Sequence, residues 1–187
     1  MARHHQALPL SQVGELLESE FHEARLLALV ILVNKFKKAS DAGQKEIYNF
    51  YLRHRKYVNN WDLVDSSAPV IVGGYLQNRP KEILFDMATS KNLWDRRIAV
   101  LSTFAFIRNK DFPDALKICR MLLNDNHDLI HKAVGWMLRE IGKQDRQVEE
   151  KFLLKHYHEM PRTMLRYAIE KFPETLRLRY LRGTIAN

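Results

Sequence analysis

The chain has 187 residues, 46% of them hydrophobic and 28% charged, which is enough for one domain with a substantial buried core. With seven glycines and six prolines, the composition disfavours an all-β or loop-rich fold. The 30 Lys and Arg residues exceed the 22 Asp and Glu residues, and the net charge of +8 suits a polyanionic partner without proving one.

The sequence carries no pattern of a membrane span or a secretory signal. The longest apolar run, 26–33, is far shorter than the roughly 20 residues that cross a bilayer. The first ten residues lack an apolar core followed by a cleavage site. The single cysteine, Cys119, lies in a helical pattern and is expected to be a buried structural thiol. We therefore expect a cytoplasmic protein.

Helical hydrophobic spacing runs through almost the whole chain. Ile130, Val134, Met137 and Ile141, for example, recur at steps of three or four residues. No Asn-Gly or Asp-Gly turn adjoins an alternating segment, so hairpins have no support. Turn residues and prolines divide this pattern at short intervals. The predicted helices span 10–19, 21–38, 44–57, 61–77, 80–89, 93–108, 112–123, 127–142, 145–157, 161–171 and 173–181.

A weak internal repeat relates three of these helices. Trp61-Asp62 and Trp94-Asp95 are 33 residues apart, and 127–142 follows at a similar distance. This period predicts an all-α superhelix, a solenoid of antiparallel HEAT-like helix pairs forming one domain over 1–187. The second helices of successive pairs would line a concave, basic face. Residues 1–9 and 182–187 are expected to be flexible.

The concave face would combine basic residues, tryptophans and one carboxylate. Trp61 and Asp65 are four residues apart and therefore share one helix face. Basic side chains neutralise phosphates, and tryptophan offers a flat face to a sugar, a base or a cation. The other residues of this face are Lys91, Arg96, Arg97, His131, Lys132, Trp136, Arg139, Arg162 and Arg166.

Several of these residue types are more often structural than functional. Trp94, which has no carboxylate four residues later, fits an ordinary core position. Asp62 and Asp95 each follow a helix-opening tryptophan, where a carboxylate favours the helix dipole. Asp65 differs because it lies between Val64 and a largely apolar continuation, where a carboxylate is costly without a partner or a task.

Three segments resemble, in this order and spacing, the bacterial DNA alkylation repair glycosylases of the AlkD family. They are WDLVDSSAPVIVGGYL, NLWDRRIAVLSTFAFI and IHKAVGWMLREIGK. The segments ELLESEFHEARLLALVILVNKF and PRTMLRYAIEKFP extend the resemblance over about residues 10–173. Generic HEAT repeats lack the WDxVD and KAxGWxLRE signatures, so the resemblance is fairly specific.

The resemblance implies hydrolysis of the N-glycosidic bond of cationic alkylated purines, such as 3-methyladenine and 7-methylguanine, in base excision repair. It implies that Trp61 and Trp136 pack on the deoxyribose beside the lesion. It also implies that Asp65 stabilises positive charge on that sugar and helps to position water. Arg97 matches an arginine of the phosphate-binding wall, Lys132 and Arg139 match positions that face DNA, and Lys91, Arg96 and Arg166 are expected to contact DNA as members of the concave face.

One departure from the family lies at the N-terminal end. Family members carry an additional N-terminal helix pair and loop, whereas only MARHHQALP precedes the first matching helix here. Because that part contributes DNA contacts and an aromatic residue near the lesion, affinity or turnover is expected to be lower. This departure keeps open the alternative of a DNA-binding relative without glycosylase activity. A second alternative is a HEAT-type protein-interaction module, which would need no aligned Trp, Asp and Arg on one wall.

The expected partner is duplex DNA containing alkylated bases, bound by a monomer that would be associated with the nucleoid when bound. The eight histidines form no HExxH pattern and no Cys/His cluster, so neither a metal nor a cofactor is expected.

Overall fold

The computed structural model describes residues 8–185, and in this range the chain is all-α with no β-strand. The eleven predicted helices are all present, with ends shifted by a few residues or short interruptions. A 3₁₀ turn follows α3 at Arg55–Tyr57, a π-helical turn follows α4 at Pro69–Gly73, and a second 3₁₀ turn follows α12 at Ile169–Lys171. The helices are α1 (Leu10–Leu17), α2 (His22–Lys38), α3 (Asp41–His54), α4 (Trp61–Ala68), α5 (Gly74–Leu76), α6 (Glu82–Ala88), α7 (Leu93–Ser102), α8 (Phe104–Arg108), α9 (Pro113–Met121), α10 (Asp128–Gln144), α11 (Arg146–His156), α12 (Arg162–Ala168) and α13 (Glu174–Arg182).

The three helices related by the sequence repeat each begin at a side-chain cap. The Asn60 side chain accepts a hydrogen bond from the backbone N–H of Trp61 at 2.7 Å, and this fixes the start of α4. Asn92 and His127 accept from backbone N–H groups at the starts of α7 and α10. Capping satisfies donors that the first helical turn leaves unpaired, so these helices begin at defined residues.

Two of the departures from the predicted helices have local causes. Helix α3 begins at Asp41 rather than at residue 44, because the Ser40 hydroxyl accepts from the Gly43 backbone N–H and caps the helix. The predicted helix 93–108 is interrupted at Thr103. There, the hydroxyls of Ser102 and Thr103 donate to carbonyls one turn back, which competes with the helical backbone pattern.

The contacts divide the chain into two compact units, Met1–Lys81 and Glu82–Asn187. In the first unit, α2 packs against α1, α3, α4 and the π-helical turn. Its core includes Leu29, Leu32, Tyr51 and Leu63, all fully buried. Burying a side chain of this size stabilises a fold by about 1.5–3 kcal/mol. This packing fixes the start of α4, where two of the predicted site residues lie.

In the second unit, α10 is the central helix and packs against α7, α8, α9, α11 and α12. Helices α10 and α12 approach each other closely at Gly135, where an added Cβ would lie 2.4 Å from the Met164 carbonyl oxygen. Cys119 of α9 is fully buried, and burial raises the pKa of its thiol to about 12. The prediction of a structural thiol is therefore confirmed.

Of the ends predicted to be flexible, residues 1–7 and 186–187 lie outside the described residues. Pro9 has an extended backbone and precedes α1. Gly183 ends α13 at φ 70°, a left-handed conformation that favours glycine. The Tyr157 hydroxyl donates to the Ile185 carbonyl oxygen at 3.4 Å. The described residues 182–185 therefore make defined contacts.

No described helix has the length and apolar character needed to cross a membrane.

Candidate active site and nucleic-acid interface

The first unit places Trp61 and Asp65 at the start of α4. Trp61 is the first helical residue, and 54% of its surface is exposed. Asp65, one turn later, is half-buried between buried Val64 and exposed Ser66. Tryptophan is usually well buried in a folded protein, so an exposed one is uncommon. Here the exposed tryptophan stands one turn from a carboxylate at the edge of the core. This pair can offer a flat aromatic face and a negative charge to the same ligand.

The helix that carries this pair changes its geometry at Pro69, one turn after Asp65. Pro69 has no N–H, so it cannot donate to the carbonyl four residues earlier, which belongs to Asp65. The backbone continues through the π-helical turn Pro69–Gly73 and then into α5. π-helical turns within α-helices are rare and frequently occur at functional sites. Pro69 was the sequence signal for this turn, although the prediction treated 61–77 as one regular helix.

A polar contact between distant residues joins the starts of α2 and α4. His22 Nε2 lies 2.7 Å from Asp62 Oδ2, and Asp62 also accepts from the Leu63 backbone N–H at 2.9 Å. Asp62 therefore acts as the helix-start residue that the sequence predicted. Phe21, next to His22, is 67% exposed. Sequence reasoning missed both His22 and Phe21, because 40 residues separate His22 from Asp62.

The second unit places Trp136 on α10 in a defined orientation. Its indole Nε1 donates to Glu140 Oε1 at 3.0 Å, and its ring centroid lies 6.0 Å from that of Phe104. Trp136 is half-buried, and the neighbouring Gly135 is buried against α12. The aromatic face is therefore held by one hydrogen bond and one ring contact.

The predicted basic residues of α10 are each paired with a carboxylate. Lys132 lies 2.7 Å from Asp128, and their hydrogen bond raises the pKa of Lys132 and lowers that of Asp128. Arg139 pairs with Glu170, whose pKa is lowered by Lys171 and by Arg139. A phosphate would have to join or replace these carboxylates to contact either cation.

Arg96 connects two loops. Its Nε lies 2.6 Å from Asp125 Oδ2, and its Nη1 donates to the carbonyl oxygens of Ser90 and Lys91. The Arg96 side chain is 18% exposed and that of Asp125 only 5%. These contacts occupy most of the guanidinium donors, so Arg96 holds the loops before α7 and α10 together.

Arg97 does not lie on an exposed wall, in contrast to the sequence expectation. It is only 4% exposed, and its Nη1 donates to the Leu129 carbonyl oxygen at 2.5 Å. The physical reason is the position of Arg97 beside the buried run Ile98–Leu101, which draws the start of α7 into the core. The guanidinium is thereby held against the first turn of α10.

Lys91 and Arg166 are exposed, and within residues 8–185 neither side chain has an acidic partner. Trp94 is half-buried rather than fully buried, and Asp95 accepts from the Ser90 hydroxyl at 3.1 Å.

His131 Nε2 contacts the Asp125 carbonyl oxygen at 2.5 Å. In the part of the chain that the structure describes, no group of three His, Cys, Asp or Glu side chains is placed to hold a metal ion.

The fold and these residues define an all-α protein with an exposed tryptophan beside a carboxylate in one unit and a second oriented tryptophan in the other. The chain belongs to the DNA alkylation repair enzyme family, whose model matches residues 1–172. The family expected from the sequence motifs is therefore confirmed.

A solved structure from Enterococcus faecalis, described as a predicted DNA alkylation repair enzyme, has a similar fold. Its TM-score is 0.72 at 17% sequence identity, and the match covers 92% of this chain and 81% of that one. This likeness confirms the predicted all-α fold class. Comparison with curated proteins gives no match.

Proposed function

We propose that this protein is a DNA glycosylase that hydrolyses the N-glycosidic bond of cationic alkylated purines in duplex DNA. The observation that carries the proposal is the Trp61–Asp65 pair on α4, an exposed indole one turn from a half-buried carboxylate in a member of a DNA alkylation repair family. The proposed substrates are purines of the 3-methyladenine and 7-methylguanine type, as the sequence motifs suggest.

The chemistry of these lesions needs a stabilised sugar cation more than a strong acid. An N-alkylated purine already carries positive charge and departs as a neutral base. Breaking the bond moves that charge onto the deoxyribose, as in glycoside hydrolysis. The Asp65 carboxylate would stabilise this charge and position a water that adds to the anomeric carbon and releases a proton. The Trp61 ring would offer its negative face to the same sugar.

DNA binding would draw on the second unit and on the net charge of +8. Exposed Lys91 and Arg166 are the cations most available to phosphates. Lys132 and Arg139 would reach phosphates by sharing or exchanging their carboxylate partners. Trp136 is proposed to pack on a deoxyribose of the bound DNA. Such binding should weaken as salt rises, because phosphate contacts release counterions.

The decisive experiment incubates the protein with methylated duplex DNA and measures the released 7-methylguanine and 3-methyladenine. Asp65→Asn keeps the size of the side chain and removes its charge. We expect release to fall by about 100-fold or more, because a preorganised charge at a developing cation contributes on this scale. DNA affinity should stay close to that of the unchanged protein. Asp62→Asn is the matched control, since it removes the same charge from the same helix, at a carboxylate that contacts His22.

The outcomes separate the proposal from its alternatives. Release that survives in Asp65→Asn would contradict the role of this carboxylate. Tight, salt-sensitive DNA binding without release by the unchanged protein would indicate a DNA-binding relative without glycosylase activity. Trp61→Ala should reduce release with little change in stability, whereas Trp94→Ala, on the equivalent helix start of the repeat, should not reduce release in folded protein.

A further inference from the structure

A cavity of about 340 Å³ lies at the C-terminal end of the second unit. Its lining comes from α12, the 3₁₀ turn that follows and α13. Arginines provide three of the five lining residues, and the described lining contains no aspartate or glutamate. The lining residues are Arg162, Arg166, Ile169, Arg177 and Leu181.

The three arginines are poorly neutralised by their surroundings. Arg166 forms no hydrogen bond or ion pair within residues 8–185, and Arg162 donates to the Leu181 carbonyl oxygen. Arg177 meets Glu174 only at 3.8 Å, through Nη2. The Nε of Arg177 is buried and has no hydrogen-bond acceptor among the described residues. A buried donor without an acceptor is costly, and so is a group of like charges.

We propose that this cavity is an oxyanion site that binds a phosphate group through Arg162, Arg166 and Arg177. Guanidinium groups match the geometry of phosphate oxygens and bind them in bidentate fashion. A phosphate would neutralise the three charges and could accept from the orphaned Arg177 Nε. The apolar lining of Ile169 and Leu181 lowers the local dielectric and strengthens these contacts.

Two sources can supply this chemistry, a phosphodiester of DNA and a free phosphate. As a DNA contact, the site rests on the proposed function. As an oxyanion site, it stands independently of glycosylase activity. Arg177 would then join Arg162 and Arg166, which the sequence already placed on the predicted concave face, and the cavity that the three share appears only in the folded chain.

The first arm of the test measures binding of inorganic phosphate by calorimetry, at constant ionic strength with chloride as the reference anion. The test variant is Arg166→Gln combined with Arg177→Gln. The matched control is Arg179→Gln combined with Arg182→Gln, which removes the same charge from exposed positions of α13 outside the cavity. We expect the test variant to weaken phosphate binding by about 10-fold or more, and the control to preserve it.

The second arm measures the affinity for unmodified duplex DNA over a range of salt concentrations. If the phosphate belongs to DNA, the slope of log affinity against log salt concentration should become shallower in the test variant. The change relative to the control should correspond to about one phosphate contact or more. If only phosphate binding falls, the site takes free phosphate. Phosphate binding by the test variant equal to that of the control would overturn the proposal.

A third readout separates this site from the proposed function. Circular dichroism of all variants verifies that they fold, and base release at saturating DNA is compared with the unchanged protein. Absence of base release in the unchanged protein together with arginine-dependent phosphate binding would remove the glycosylase proposal and leave the oxyanion site. Base release by the unchanged protein without any phosphate binding would remove the oxyanion site and leave the glycosylase proposal.

Discussion

The indole of Trp136 donates a 3.0 Å hydrogen bond to the Glu140 carboxylate one turn along α10. Glu140 is itself 2.6 Å from Lys143 and 4.0 Å from Arg139, so its charge is balanced. The ring is thus held in one orientation before any ligand arrives. Such preorganisation reduces the entropy lost on binding.

Trp136 should contribute to base release through its ring face. Trp136→Ala is expected to lower release by about 10-fold, because a desolvated cation above an indole is worth on the order of 1–2 kcal/mol. Glu140→Gln keeps an acceptor for the indole N–H and should have a much smaller effect. Single-turnover release from methylated duplex DNA measures both. Equal losses in the two variants would contradict a role for the ring face.

Arg96 and Lys132 were both predicted to contact DNA, and the structure predicts different outcomes for their removal. Arg96→Ala should lower the free energy of unfolding on the order of 3 kcal/mol, because it leaves the nearly buried Asp125 without its cation. Lys132→Ala removes an exposed partner of Asp128, so it should leave stability almost unchanged and weaken DNA binding. Urea unfolding and DNA titration distinguish them, and a stable Arg96→Ala protein would refute the loop-holding role.

Gly135 allows α10 and α12 to pack in close contact. In Gly135→Ala, the new Cβ would meet the Met164 carbonyl oxygen at 2.4 Å and Tyr167 Cβ at 2.5 Å, so the helices must separate. Overpacking of this kind costs about 1–3 kcal/mol, to be measured by urea unfolding. Gly43→Ala serves as the control, because its nearest neighbour is the small Ala39 side chain at 3.0 Å. Equal stability of the two variants would contradict the inferred contact.

Glu149 of α11 is a buried carboxyl group in the second unit. It is 2% exposed and packs against Gly142, and its Oε1 has no hydrogen-bond partner among the described residues. Its pKa is raised from an ordinary 4.5 to about 8, mainly by burial and also by nearby Glu150, with Arg146 and Arg139 opposing the shift. The fold therefore favours the protonated, uncharged form at neutral pH.

This shift predicts a pH-dependent stability. The folded chain binds the Glu149 proton more tightly than the unfolded chain does. The resulting contribution to the free energy of unfolding is therefore complete below pH 4.5 and is lost as the pH rises through about 8. Glu149→Gln, which stays uncharged, should remove this part of the pH dependence and be relatively more stable at alkaline pH. The same substitution at exposed Glu46 is the control. Parallel stability curves for Glu149→Gln and the unchanged protein, measured from pH 5 to 9, would contradict the prediction.

The sequence by itself determined the helical class, the approximate helix ends and the local neighbours of the site. These properties depend on spacing within one helix, which the chain encodes directly. Trp61 and Asp65 share a face because they are four residues apart, and the Asn60 cap lies next to them. The motifs around Trp61 and Trp136 also carried the family assignment, which the match over residues 1–172 confirms.

Only the tertiary structure decided which charged residues are available. The helical pattern does not distinguish three of the arginines. In the structure, Arg97 is buried against a backbone carbonyl, Arg96 holds two loops together, and Arg166 is exposed. Burial and pairing depend on residues distant in sequence, such as Asp125 for Arg96 and Glu170 for Arg139. Local periodicity cannot encode these partners, because desolvation and ion pairing depend on which elements pack together.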